Sequence, residues 1–114
     1  MNIKDIAKTI DGKVVCGDGN NNFEVERAFA SDLMSDVLTI NTDNLLLITG
    51  LANVQAIRTA EMADIRAIVI ARNKKATEEM KELASENKMF IIECNYSVYK
   101  TAGLLYQAGL NPLY

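Results

Sequence analysis

The stretch that decides the fold is LLLITGLANVQAIRTAEM, Leu45 to Met62. A continuous apolar run ends in Thr49-Gly50, and helical spacing begins at Asn53. The plan then repeats twice. AIVIA at 67–71 leads to a helical pattern over Thr77 to Asn87, and MFIIEC at 89–94 leads to one over Ser97 to Ala108. Apolar runs without alternation suit strands covered on both faces. Their starts lie about 22 residues apart, too far for hairpins and right for βα units. Right-handed crossovers then make the three strands parallel. These residues predict an α/β fold: a three-layer α/β/α domain with a mainly parallel sheet.

The rest of the chain is read outward from that core. Ile3, Ile6, Ala7 and Ile10 have helical spacing, and Asp11-Gly12 stops the helix. KVVCG, Lys13 to Gly17, reads as a strand; DGNNN, Asp18 to Asn22, as a polar and mobile turn; and Glu24 to Ala30 as a second strand. SDLMSDVL reads as a short helix with Ser31 and Asp32 as N-cap candidates. In the Asn53 helix, Ala56, Ile57, Ala60 and Ala63 form an inward stripe of mostly small residues. The Thr77 helix turns Met80, Leu83 and Ala84 inward and a row of glutamates to solvent. Gly109 and Pro112 end the last helix. Leu104, Tyr106, Leu110, Leu113 and Tyr114 lie off its inward stripe and suggest a second apolar surface, hence a homodimer. Composition shifts near residue 44, but neither part would bury a core alone, so residues 1–114 are expected to form a single domain.

The 114 residues are 49% hydrophobic and 24% charged, with a net charge of −3. A nucleic-acid binder would show a basic face, so nucleic acid is not an expected partner. No apolar run reaches the roughly 20 residues needed to span a bilayer, and the first residues lack a secretory pattern. No membrane association is expected, and the expected location is cytoplasmic. The chain has no histidine. That excludes Ser-His-Asp and Cys-His machinery, and Cys16 and Cys94 alone cannot build a structural zinc site. Neither metal nor cofactor is expected. Cys94 ends an apolar strand and reads as a buried small hydrophobe.

The Thr49-Gly50 turn has neither the three glycines of a dinucleotide fingerprint nor a P-loop. Its simpler reading is a bend that glycine permits, with Asn53 as helix cap. Its functional reading is geometric. In a parallel sheet the turns after the three strands emerge on one edge, and helix N-termini there favour anions. The ligand-binding candidates on that edge are Thr49, Gly50, Asn53, Arg72, Asn73 and Asn95, with Lys74 and Tyr96 beside them. A small anionic ligand is the expected occupant.

The order and spacing of IAKTIDGKVVCGD, FASDLMSDVL, the Leu45–Met62 unit and the segment from Ala67 to Leu110 resemble the DRTGG domain over nearly the whole chain. That module is similar to the N-terminal domain of HPr kinase/phosphorylase, and it also occurs in phosphotransacetylase-type proteins and CBS-domain pyrophosphatases. The resemblance implies an HPr kinase N-terminal-domain-like fold, self-association and a regulatory role. It carries over no catalytic residues, because the catalytic P-loop unit of HPr kinase/phosphorylase is a separate domain. Where many such domains read Asp-Arg after the first glycine, this chain reads Leu51-Ala52-Asn53. Where many read Thr-Gly-Gly after the next strand, it reads Ala71-Arg72-Asn73. The chain is thus expected to be a divergent, stand-alone and non-catalytic module that senses a ligand or a protein partner. The alternatives are a small enzyme using Cys94, Lys74 or Glu93, and a structural subunit of a larger complex.

Overall fold

The computed structural model describes residues 1–18 and 22–114. The polar turn expected over 18–22 falls largely outside the described residues. In chain order the elements are α1 (Ile3–Thr9), β1 (Lys13–Cys16), β2 (Arg27–Ala30), α2 (Met34–Val37), β3 (Leu45–Thr49), α3 (Val54–Met62), β4 (Ala67–Ile70), α4 (Glu78–Glu86), β5 (Phe90–Glu93), α5 (Val98–Gln107) and β6 (Asn111–Pro112). The sheet runs β1-β5-β4-β3-β2-β6. Neighbours from β5 through to β6 are parallel, and β1 joins the far edge antiparallel to β5.

This order follows from crossover handedness. The chain steps from β2 to β5 in one direction with α2, α3 and α4 on one face. It then returns to β6 under α5 on the opposite face. Both directions are right-handed only if the helices change face at that reversal. Every residue of β3, β4 and β5 is buried, because alternate side chains feed two cores. Leu46, Ile48, Val69 and Ile92 meet α1 and α5; Leu47, Ile68, Ile70 and Ile91 meet the α2–α4 layer. The continuous apolar runs of the sequence therefore have the cause assigned to them.

Three differences are informative. The strand expected from Glu24 begins at Arg27, because Glu24 bridges Asn2 and the Glu26 N–H turns to the Asn44 carbonyl. The short helix α2 has Leu33 as N-cap, without a side-chain cap bond, so neither Ser31 nor Asp32 caps it. The tail is only partly a free apolar surface. Asn111–Pro112 adds a parallel strand to β2, Arg27 donates to the Pro112 carbonyl at 3.2 Å, and Leu110 is buried. Tyr106 and Tyr114 stay exposed.

Candidate functional site

The helix layers change face between the connections that leave β4 and β5. In open α/β sheets a ligand crevice forms at such a reversal, beyond the carboxyl ends of the strands. The two turns at this point carry Arg72-Asn73 and Asn95-Tyr96. They are tied together by their backbones: the Arg72 N–H donates to the Tyr96 carbonyl at 2.7 Å, and the Asn73 N–H to that of Cys94 at 3.1 Å. Arg72 and Asn73 are consecutive left-handed residues, with φ of 64° and 58°. Asparagine tolerates this region; arginine does so at a cost, here offset by the two bonds. These are the positions at which the resemblance led one to expect a glycine pair. The backbone shape that glycines would favour is thus kept without them.

Held this way, Arg72 lies across the neighbouring turn. A Cβ built on Gly50 would stand 2.6 Å from Arg72 Cδ, 3.1 Å from its Nη1 and 3.4 Å from Asp32 Oδ2. Gly50 is not among the left-handed residues. Its backbone therefore does not require glycine. The absent Cβ instead leaves the space that the Arg72 side chain occupies, with Asp32 beside it.

Asp32 closes the other side. Its Oδ1 accepts from the Gly50 N–H at 2.7 Å and from Thr49 Oγ1 at 2.9 Å. Thr49 is fully buried, and its Oγ1 also accepts from the Leu51 N–H at 3.2 Å. A buried carboxylate, Glu93, stands at the end of β5. Its Oε2 accepts from the Ala76 N–H at 2.8 Å, and its Oε1 is 3.8 Å from Lys75 Nζ. It thereby anchors the far end of the loop that begins at Arg72.

The sequence-derived residues meet different fates. Thr49, Gly50 and Arg72 come together. Asn53 caps α3 by accepting from the Ala56 N–H at 2.9 Å, so that expectation holds and its side-chain oxygen is committed. Asn73 and Asn95 are exposed on the turns behind Arg72. The N-termini of α4 and α5 are capped in the same way by Thr77 and Ser97. The chain's own acceptors thus already take several of the N–H groups that an anion would use. Cys94 is 2% exposed, and its Sγ lies 3.4 Å from both the Ile10 carbonyl and Thr101 Oγ1. It is an interior group, as its place at the end of an apolar strand suggested.

One feature escaped the sequence reading: Asp32, taken for a helix cap. The available signal was an acidic residue just past β2, at the same sheet edge as the Thr49-Gly50 turn. The second apolar surface expected from Leu104, Tyr106 and Leu110 takes the form of a groove of about 540 Å³ between α5 and the β2–β6 end of the sheet, floored by Ala28, Ala30 and Ile48, which the sequence did not supply.

Comparison with known proteins gives a family and a fold. The DRTGG domain family matches residues 5–108. No curated protein matches the sequence. Among solved structures, the chain is similar to the CBS and DRTGG domains of the regulatory region of Clostridium perfringens pyrophosphatase, solved in complex with its activator, diadenosine tetraphosphate. The TM-score is 0.73 at 10% identity, with 94% of this chain and 46% of that one covered. At this identity the likeness is one of fold, and the chain spans about half the length of that neighbour.

Proposed function

The chain belongs to the DRTGG domain family, and on that premise we propose a self-associating regulatory module that works by binding rather than by catalysis. Its ligand is a small anion received at the carboxyl ends of β3 and β4, by Arg72 above Gly50 with Asn73 and Asn95 beside it. One observation carries this reading: an exposed arginine is held in a left-handed conformation by two backbone bonds, so that its guanidinium lies over a turn that only glycine leaves open. Strain of this kind is kept where the surrounding structure enforces it, and such places concentrate at binding sites. A guanidinium offers paired donors suited to phosphate or carboxylate.

Asp32 refines the ligand class. Its Oδ1 occupies the Gly50 N–H, so the anion pairs with Arg72 and not with that amide. Its Oδ2 remains to accept from a hydroxyl or amino group. A ligand with an anionic group and a nearby hydroxyl, such as a nucleotide, fits both. The pyrophosphatase neighbour binds a polyanionic nucleotide in its regulatory region, which supports the same class. The likeness to the N-terminal domain of HPr kinase/phosphorylase, which lies outside that enzyme's catalytic unit, also favours regulation. No helix among the described residues is long and apolar enough to cross a membrane. The proposed setting is cytoplasmic.

A thermal-shift screen of nucleotides and acyl phosphates tests the reading. A ligand at about 100 times its dissociation constant stabilises the fold by roughly 2.7 kcal/mol. The response should vanish in Arg72→Ala. A response unchanged in that variant, or none with any compound, contradicts the proposal.

A further inference from the structure

On the face that the sheet turns toward α5, β2 carries only small side chains. Ala28 and Ala30 stand there, directly opposite Leu46 and Ile48 of β3. Because α5 packs over β3, the volume missing above β2 is left as the groove. At about 540 Å³ the groove has the size of a small-ligand site, roughly 300–1,000 Å³, and like most such sites it has a mainly apolar lining. Tyr99 and Lys100 stand on its α5 wall. Tyr99 is 90% exposed, and its ring has no aromatic partner among the described residues.

The same two strands lead from the groove to the anion site. They stay paired beyond the floor, since the Ser31 N–H donates to the Ile48 carbonyl at 3.0 Å. Residues two apart on a strand share a face and stand about 6.6 Å apart. Asp32 follows Ala30 by two, and Gly50, beneath Arg72, follows Ile48 by two. Two cations mark this end. Lys100 Nζ sits 3.9 Å from the Tyr96 ring centroid, and the Tyr96 carbonyl accepts from the Arg72 N–H at 2.7 Å. Among the described residues, neither Arg72 nor Lys100 has a carboxylate partner. Asp32 gives its Oδ1 to Gly50 and Thr49, which leaves Oδ2 for a hydroxyl.

We infer that the groove seats the ring end of the ligand, and that the ligand is a nucleoside phosphate. Its base lies on Ala30 and Ile48 against the Tyr99 ring, its sugar hydroxyl meets Asp32 Oδ2, and its phosphate lies between Arg72 and Lys100. This rests on the anion site proposed above and supplies the other half of its ligand. The order of the surfaces selects the class. A flat ring gains by stacking on an exposed tyrosine over an apolar floor. A spacer that carries a hydroxyl fits the two-residue step past Asp32. A phosphate takes the guanidinium fork and the ammonium together. An acyl phosphate brings no ring for Tyr99 and no hydroxyl for Asp32. A protein segment filling the groove would leave the two cations without a counter-charge.

Calorimetric titration of the full chain with the four ribonucleoside monophosphates, ribose 5-phosphate and acetyl phosphate tests this. The best nucleotide should bind at least about 10-fold more tightly than ribose 5-phosphate, the difference being the seated base. Tyr99→Ala removes an exposed ring and Ala30→Leu fills the floor at an exposed position, so both variants should keep the wild-type circular dichroism. Each should bring the nucleotide down to about the affinity of ribose 5-phosphate. Arg72→Ala should abolish binding of every probe. Nucleotide and ribose 5-phosphate binding equally well, with both lost in Arg72→Ala, would overturn the inference and leave the anion site standing. Acetyl phosphate binding as tightly as any nucleotide, or a nucleotide indifferent to both Tyr99→Ala and Ala30→Leu, would overturn it in the same way. Binding of no probe, or nucleotide binding untouched by Arg72→Ala, would overturn the inference together with the anion site.

Discussion

At the scale of single residues, Gly50 has a use that its sequence context hides. A glycine in a turn ordinarily suggests backbone freedom. Here the missing Cβ makes room for Arg72. Gly50→Ala should therefore cost less than about 1 kcal/mol in urea unfolding, since the displaced side chain is exposed. It should also silence the ligand response as fully as Arg72→Ala does, because the guanidinium is re-aimed. Asp32 is the opposite case, a surface residue with structural weight. Asp32→Ala strips an acceptor from the Gly50 N–H and from Thr49, and should cost about 1–3 kcal/mol. Asp32→Asn, which keeps an acceptor oxygen at Oδ1, should recover most of that. Equal losses for the two variants would mean that charge, and not these two bonds, is what matters. Asp32 was not legible in the sequence because Ser31-Asp32 ahead of a short helix has the form of a cap. Only the pairing of β2 with β3 brings it to Thr49. Cys16 supplies a pH-dependent test. Burial pushes its thiol up, opposed by a smaller effect of the Gly17 backbone and of Lys81. An acid whose folded pKa is raised contributes stability below its unfolded pKa. That contribution is lost as pH rises through the folded value. Alkylation of Cys16 in the folded chain should thus set in at higher pH than alkylation of the same residue in urea.

At the scale of elements, the three βα units could be read because each strand is buried on both faces and each helix has its own cap. Asn53, Thr77 and Ser97 all cap as their positions suggest. The edges could not be read in the same way. β1 and β6 pair with strands distant in sequence, and two residues of β6 carry no periodicity. The loop from Arg72 to Thr77 shows how the elements support the site. Glu93 holds its far end through Ala76, while Tyr96 and Cys94 hold its near end. Glu93→Ala leaves the Ala76 N–H without its carboxylate at the entry to α4. Amide hydrogen exchange over residues 73–77 should quicken in this variant, while exchange in β3 and β4 stays slow. Uniform quickening across the sheet would mean that Glu93 supports the whole core and not this loop.

At the scale of the molecule, α1 near one end of the chain and α5 near the other share one core with β3, β4 and β5. Residues 1–114 should therefore unfold as a single unit, with far-ultraviolet dichroism and tyrosine fluorescence giving one coincident transition. Two separated transitions would divide the chain near residue 44, where its composition shifts. The same topology gives the molecule two adjoining candidate surfaces: the strand-end turns around Arg72 and the groove beside α5. A nuclear magnetic resonance titration of the labelled chain with a nucleotide separates them most directly. Amide shifts at residues 31–32, 49–53, 71–74 and 95–97, continuing into the groove and lost in Arg72→Ala, are the predicted result. Shifts confined to α5 and β6, or no shifts with any anionic ligand, would contradict a regulatory site at the strand ends.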